Sequence, residues 1–86
     1  MTYTVEILPS ARRDLQALDP PVRRRIDEKI LHLTKNPRPA GAKVLRGREL
    51  LRIRAGDYRV VYEIRQKRLV ILIVRVGHRS RVYRGL

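Results

Sequence analysis

The stretch LLRIRAGDYRVVYEI, residues 50–64, decides the fold. Apolar and polar side chains alternate through ELLRIRA, the period of a strand with one buried face, and YRVVYEI follows as its strand partner. Between them, Gly56 and Asp57 have the chemistry of a two-residue hairpin turn. That turn sets the register: Arg54 faces Arg59, and Arg52 faces Val61. Residues two apart share a face of a strand. Arg52, Arg54, Arg59 and Glu63 therefore lie on one side of the hairpin, with Leu51 and Ile53 on the other. Opposed like charges cost stability, and one carboxylate cannot balance three arginines. Two readings follow. The face is either a solvated surface partly neutralised by Glu63 or Asp57, or half of a phosphate site whose anion comes from outside.

Working outward, TYTVEIL at 2–8 places Tyr3, Val5 and Ile7 on one face and predicts a first strand. Ser10 is expected to cap a helix over ARRDLQAL, and Asp19 followed by Pro20 marks the start of a second. In that second helix Val22, Ile26, Ile30 and Leu33 form the apolar stripe, ending near Asn36–Pro37. NPRPAGAKV at 36–44 reads as a loop. After the hairpin, RQKR at 65–68 makes a second turn. LVILIVRV at 69–76 is apolar on both faces, as a central strand covered by helices would be. Gly77 is expected to release the chain from the sheet. The order β-α-α-β-β-β predicts an α+β fold, an antiparallel sheet with an N-terminal α-hairpin packed on one face.

The chain has 86 residues, enough for one domain spanning 1–86. It has no cysteine, which removes disulfides, thiolate nucleophiles and cysteine-based zinc sites from consideration. With only two histidines, no dedicated metal site is expected, and no cofactor. The opening MTYTVEILPS does not resemble a signal peptide, and LVILIV is too short to span a bilayer, so the expected setting is the cytoplasm, away from membranes.

Charge points to the partner. The formal net charge is +13, and arginine outnumbers lysine by 17 to 4. Such a field attracts polyanions, nucleic acid first and acidic protein second, and arginine suits bidentate recognition of phosphate. Residues 64–86 hold no acidic side chain. In this tail His78 is suited to exchange a proton near neutral pH, while Tyr83 either stacks on a base or covers the edge of the core.

LRG at 45–47, LRIRAGDYRVVYEI at 51–64 and VRVGHRSRVYR at 74–84 resemble the RelE family of toxins, within the RelE/ParE superfamily; SARRDLQAL of the first helix extends the likeness. The resemblance implies a toxin of a type II toxin–antitoxin system that acts as a ribosome-dependent endoribonuclease. Such a toxin enters the A site and cuts mRNA by attack of the 2′-hydroxyl on the adjacent phosphate, without a metal. It also implies a RelB-like antitoxin, acidic and partly disordered, in a hetero-oligomer with the toxin. The catalytic positions of the family fall on Arg52, Arg54, Arg59, Arg79 and Tyr83. Arg46, Arg48 and Arg81 are expected to add contacts to RNA phosphates. Some members carry lysine where this chain has Arg52 and Arg54. Arginine does not surrender its proton, so a lysine-type base is absent there and His78 becomes the candidate for proton transfer, with Glu63 behind it. The alternative is the ParE-like branch, of the same fold, which poisons DNA gyrase.

Overall fold

The computed structural model of the chain describes residues 2–45, 49–84 and 86. The elements are β1 (Thr4–Ile7), α1 (Pro9–Gln16), α2 (Pro20–Leu33), β2 (Lys43–Val44), β3 (Leu51–Ala55), β4 (Tyr58–Arg65) and β5 (Val70–His78), with a 3₁₀ turn at Gln66–Arg68. The strands form one sheet in the order β1-β5-β4-β3-β2. Its neighbours are antiparallel except β1, which runs parallel to β5. The fold class and the α-hairpin agree with the sequence pattern. Three details differ from it: the sheet is mixed, it has a fifth strand, and β5 runs on through Gly77 to His78.

The fifth strand is β2, inside the stretch read as a loop. Both of its residues are exposed, so no burial pattern announces it, and it exists through pairing with Leu51 and Arg52. Asp19 precedes α2 as its N-cap residue, with proline in the first turn. Ser10 does not cap α1; Leu8 holds that position, and the Ser10 hydroxyl instead donates to the Val74 carbonyl (2.9 Å). This bond belongs to a larger arrangement. β1 pairs with β5 only over Val70–Ile73, and beyond it α1 completes the edge. Ser10 takes the Val74 carbonyl, and Asp14 Oδ2 accepts from the Val76 N–H (2.9 Å). Two side chains thus satisfy backbone groups that an adjacent strand would otherwise pair.

One face of the sheet packs against the helices. Ala11, Leu15, Ile26, Ile30 and Leu33 meet Ile53, Val60, Tyr62, Ile71 and Ile73, all buried. Each large aliphatic side chain there contributes about 1.5–3 kcal/mol relative to exposure. Tyr62 is the largest of these side chains, and its hydroxyl donates to the Pro37 carbonyl (2.7 Å), tying the segment after α2 to the sheet. Burial pushes this phenol from 10.0 up to about 12, with the charge of Arg38 acting in the opposite direction. A raised folded-state pKa gives stability that is complete below pH 10 and lost as pH climbs through 12. The expected contribution is about 2–3 kcal/mol. Tyr62→Phe should therefore flatten the loss of stability between pH 10 and 12 in urea titrations, at a cost of about 1 kcal/mol at neutral pH.

A bulge re-aims the second half of β5. Val61 faces Arg75 while Tyr62 faces Ile73, so the register shifts and Val74 is the extra residue. Before the bulge the odd positions Ile71 and Ile73 point into the core; after it Val76 does. The shift turns Arg75 and Gly77 to the outer face of the sheet.

Candidate functional site

The outer face carries two cross-strand rows. In the first, Arg54 faces Arg59 and Arg59 faces Gly77. In the second, Lys43 faces Arg52, Arg52 faces Val61, and Val61 faces Arg75. The hairpin register expected from Gly56–Asp57 is the one observed. Gly56 has φ +62, a left-handed conformation that glycine adopts without penalty. Adjacent strands stand about 4.8 Å apart, so four guanidinium groups and an ammonium are anchored within a few such spacings.

Their surroundings differ. Arg52 is only 7% exposed, and its Nη1 donates to the Gly41 carbonyl (3.2 Å). It is therefore partly spent on holding the loop after α2. Arg59 Nη1 donates to the carbonyls of Gly56 and Tyr58, each at 2.9 Å, which folds the side chain against the hairpin turn. Arg54 is exposed. Arg75 has a counter-charge, with Nε on Asp14 Oδ2 at 2.9 Å. Glu63 pairs with Arg65 (3.0 Å) toward the far end of β4. Four residues of strand, about 13 Å, separate its backbone from that of Arg59. Among the described residues, no carboxylate forms an ion pair with Lys43, Arg52, Arg54 or Arg59. The solvated face neutralised by Glu63 or Asp57 is thus not what the geometry provides.

The tail folds back beside this face. The Arg79 N–H donates to the Asp57 carbonyl (2.8 Å), fastening the end of β5 to the hairpin turn. The N–H groups of Arg81 and Val82 both return to the His78 carbonyl. Val82 is buried, and a Cβ at Gly77 would stand 3.6 Å from it, which sets the turn over the Arg54–Arg59–Gly77 row. Arg75 Nη1 holds the Arg84 carbonyl (3.2 Å) from below. Arg79 and Arg81 are exposed, as is Tyr83 at 42%.

His78 stands apart. It faces Tyr58 across the sheet, the two rings meeting edge-on at 5.7 Å. Its register therefore groups it with Tyr58, one position off the face that holds Arg54 and Arg59. Nδ1 lies 2.9 Å from the Ser80 hydroxyl and accepts from the Ser80 N–H (3.2 Å). An occupied Nδ1 lone pair puts the proton of the neutral ring on Nε2. In the charged ring Nδ1–H instead donates to the Ser80 hydroxyl, and in both forms Nε2–H is the donor left over.

The structure thus brings Arg52, Arg54 and Arg59 together and sets the turn bearing Arg79, Arg81 and Tyr83 beside them. Arg46 and Arg48 lie outside the described residues. Reading the sequence missed Lys43, hidden in an apparent loop, and Arg75, whose face depends on the bulge. It also missed Arg25 of α2, which reaches the hairpin turn: a Cβ at Gly56 would stand 3.3 Å from its Nη1. Among the described residues no cluster of three or more His, Asp or Glu side chains is arranged to hold a metal ion.

Residues 5–83 match the family model described as "ParE toxin of type II toxin-antitoxin system, parDE". The chain is 39% identical to Toxin RelG of Mycobacterium tuberculosis, over 98% of this chain and 99% of that one. It is 27% identical to the mRNA interferase toxin RelE of Escherichia coli K12, over 94% and 87%. Among solved structures, the RelBE2 toxin–antitoxin complex of M. tuberculosis contains a chain that superposes with a TM-score of 0.81 at 32% identity, covering 91% of this chain and 99% of that one. The archaeal RelE–RelB complex of Pyrococcus horikoshii gives 0.81 at 35%, covering 95% and 100%.

Proposed function

Since the chain belongs to the RelE/ParE family of toxins from type II toxin–antitoxin systems, we propose that it is a ribosome-dependent endoribonuclease that cuts mRNA in the A site. The observation that carries this reading is the cross-strand pair Arg54–Arg59, flanked by the buried Arg52, with no paired carboxylate among the described residues. Such a face is complementary to a phosphodiester, and more so to the pentacoordinate transition state with its added charge.

In the proposed reaction the 2′-hydroxyl oxygen attacks phosphorus, its proton passes to solvent water, and the bond to the 5′-oxygen breaks. The products are a 2′,3′-cyclic phosphate and a 5′-hydroxyl. Arg54 and Arg59 stabilise the phosphoryl oxygens, and Arg52 fixes the floor of the site through Gly41. Arg79, held at the hairpin turn by its backbone, stabilises the leaving side. Tyr83 stacks on the displaced base, and Arg81 contacts the RNA backbone. His78, charged and with its Nδ1–H donating to the Ser80 hydroxyl, delivers a proton to the 5′-oxygen from Nε2 and is left neutral. Among the described residues, no side chain on the outer face is suited to take the proton of the 2′-hydroxyl, because the arginines stay charged and Glu63 is engaged by Arg65. The ribosome is left to align the attack, which is worth several orders of magnitude by itself. Purified protein should cut programmed ribosomes in the A-site codon and leave free RNA intact at physiological salt; rapid cutting of free RNA would contradict the scheme. His78→Ala should slow single-turnover cleavage about 10²-fold, and an unchanged rate would remove His78 from it.

The toxin–antitoxin complexes among the structural relatives and the net charge of +13 support a further part of the reading: an acidic, RelB-like antitoxin covers this basic surface in a hetero-oligomer. The family description names ParE, which keeps the gyrase reading in play. Supercoiling by gyrase measured beside mRNA cleavage separates the two. Intact mRNA with blocked supercoiling would reverse the choice.

A further inference from the structure

β2 pairs only with Leu51 and Arg52, so among the described residues the edge of β3 from Ile53 to Ala55 lacks a neighbouring strand. α2 and the loop at Pro39–Gly41 stand off that edge and leave a groove of about 400 Å³, within the range of small-ligand sites. Its floor is apolar, with Pro39 and Ala40 accessible and the buried Leu33 and Ile53 beneath them. One wall is basic: Arg25, Lys29 and His32 follow one another at i, i+4 and i+7 along α2, beside the apolar stripe. Glu28 is the single carboxylate among the described residues that line the groove. Arg54 belongs to the lining as well as to the row facing Arg59. Arg25 extends from the wall to Gly56, the residue whose carbonyl holds Arg59. The groove and the outer-face arginines therefore meet at the hairpin turn.

We propose that this groove binds one nucleotide of the RNA strand, the one flanking the scissile phosphate, with its base on Pro39 and Ala40, above the buried Leu33 and Ile53, and its phosphate against Arg25 and Lys29. The proposal rests on the nuclease reading above. An anion site alone has no use for an apolar floor, and an apolar pocket alone has no use for a line of cations. A nucleotide uses both, since its base offers a π-face to any apolar platform and its phosphate an anion to the wall. An RNA backbone crossing Arg54 and Arg59 comes to the mouth of the groove without leaving the protein surface.

The test uses the whole chain and a 2′-O-methyl RNA trinucleotide, whose blocked nucleophile prevents cutting. In an NMR titration the amides of Ala40, Gly41 and Ile53 should shift together with that of Gly77. An analogue abasic at one residue should bind roughly five- to a hundredfold more weakly. Arg25→Gln and Lys29→Gln, both exposed on α2, should weaken binding. Each of these substitutions takes a cation away from a phosphate, and each should flatten the slope of log K against log salt by about 0.7. Shifts confined to the outer face, or equal binding of the abasic analogue, would overturn the proposal. The two readings fail separately. Uncut ribosomes with a trinucleotide still bound in the groove would refute the nuclease and keep the site. Normal cutting with a silent groove would refute the site alone.

Discussion

Arg54→Glu should make the protein more stable and destroy its activity. In the native hairpin Arg54 stands directly opposite Arg59, and like charges at opposed positions are destabilising where opposite ones stabilise, each by roughly 0.2–1 kcal/mol. The substitution turns a repulsive pair into an attractive one on an exposed surface, so the urea midpoint should rise at low salt and the gain should fade as salt is added. The same change places a carboxylate where the phosphoryl oxygens are proposed to sit. Loss of one preorganised donor to a developing oxyanion costs about 10²–10³ in rate, and a repelling charge adds to that. Single-turnover cleavage on programmed ribosomes should drop at least ~10³-fold, while Arg54→Gln falls between. A variant that loses stability along with activity would indicate that Arg54 supports the fold and does not serve the substrate.

Asp14→Ala should be the most destabilising change at a charged residue. One carboxylate oxygen accepts from the Val76 backbone and from Arg75, both at 2.9 Å. Arg75 in turn holds the Arg84 carbonyl. Truncation leaves the half-buried Arg75 without its counter-charge and the Val76 N–H without an acceptor. Breaking a buried charge pair costs about 3–5 kcal/mol, and this one, with side chains 29% and 19% exposed, should fall at about 2–4. For a chain of this size that is a drop in Tm of roughly 10–20 °C. Asp14→Asn keeps an acceptor for Val76 and should lose less. Because Arg75 anchors the turn after β5, cleavage should also fall in Asp14→Ala at temperatures where the variant is still folded. The comparison to make is activity against fraction folded by circular dichroism.

Much of this was legible from local pattern. The hairpin register followed from alternation around Gly56–Asp57, and the start of α2 from Asp19–Pro20, because in each case the determining chemistry lies within a few residues. What escaped depends on partners distant in sequence. Ser10 has the right chemistry for a cap, yet its hydroxyl goes to Val74, a residue 64 positions away. The direction of β1 beside β5 leaves no mark in either strand. The bulge at Val74 inverts the parity of everything after it, so the alternation that placed Arg54 and Arg59 correctly could not say that His78 faces Tyr58. Alternation also gives the face of Arg52 but not its burial, which the Gly41 loop imposes. By contrast, the line Arg25–Lys29–His32 was open to reading as a basic stripe along a helix.

The place of β5 has a consequence for how the molecule comes into being. It is the last of the five described strands to be synthesised, yet it lies between the first strand and the hairpin, joining Thr4 to Val70 and Arg59 to Gly77. Until residues 70–78 have left the tunnel of the ribosome that makes them, β1 has no partner and the turn bearing Arg79 and Tyr83 has nothing to fold against. Pairings this remote in sequence carry the largest loop-closure cost and form late. Until β5 emerges, the nascent chain is therefore an incomplete sheet with an unassembled site.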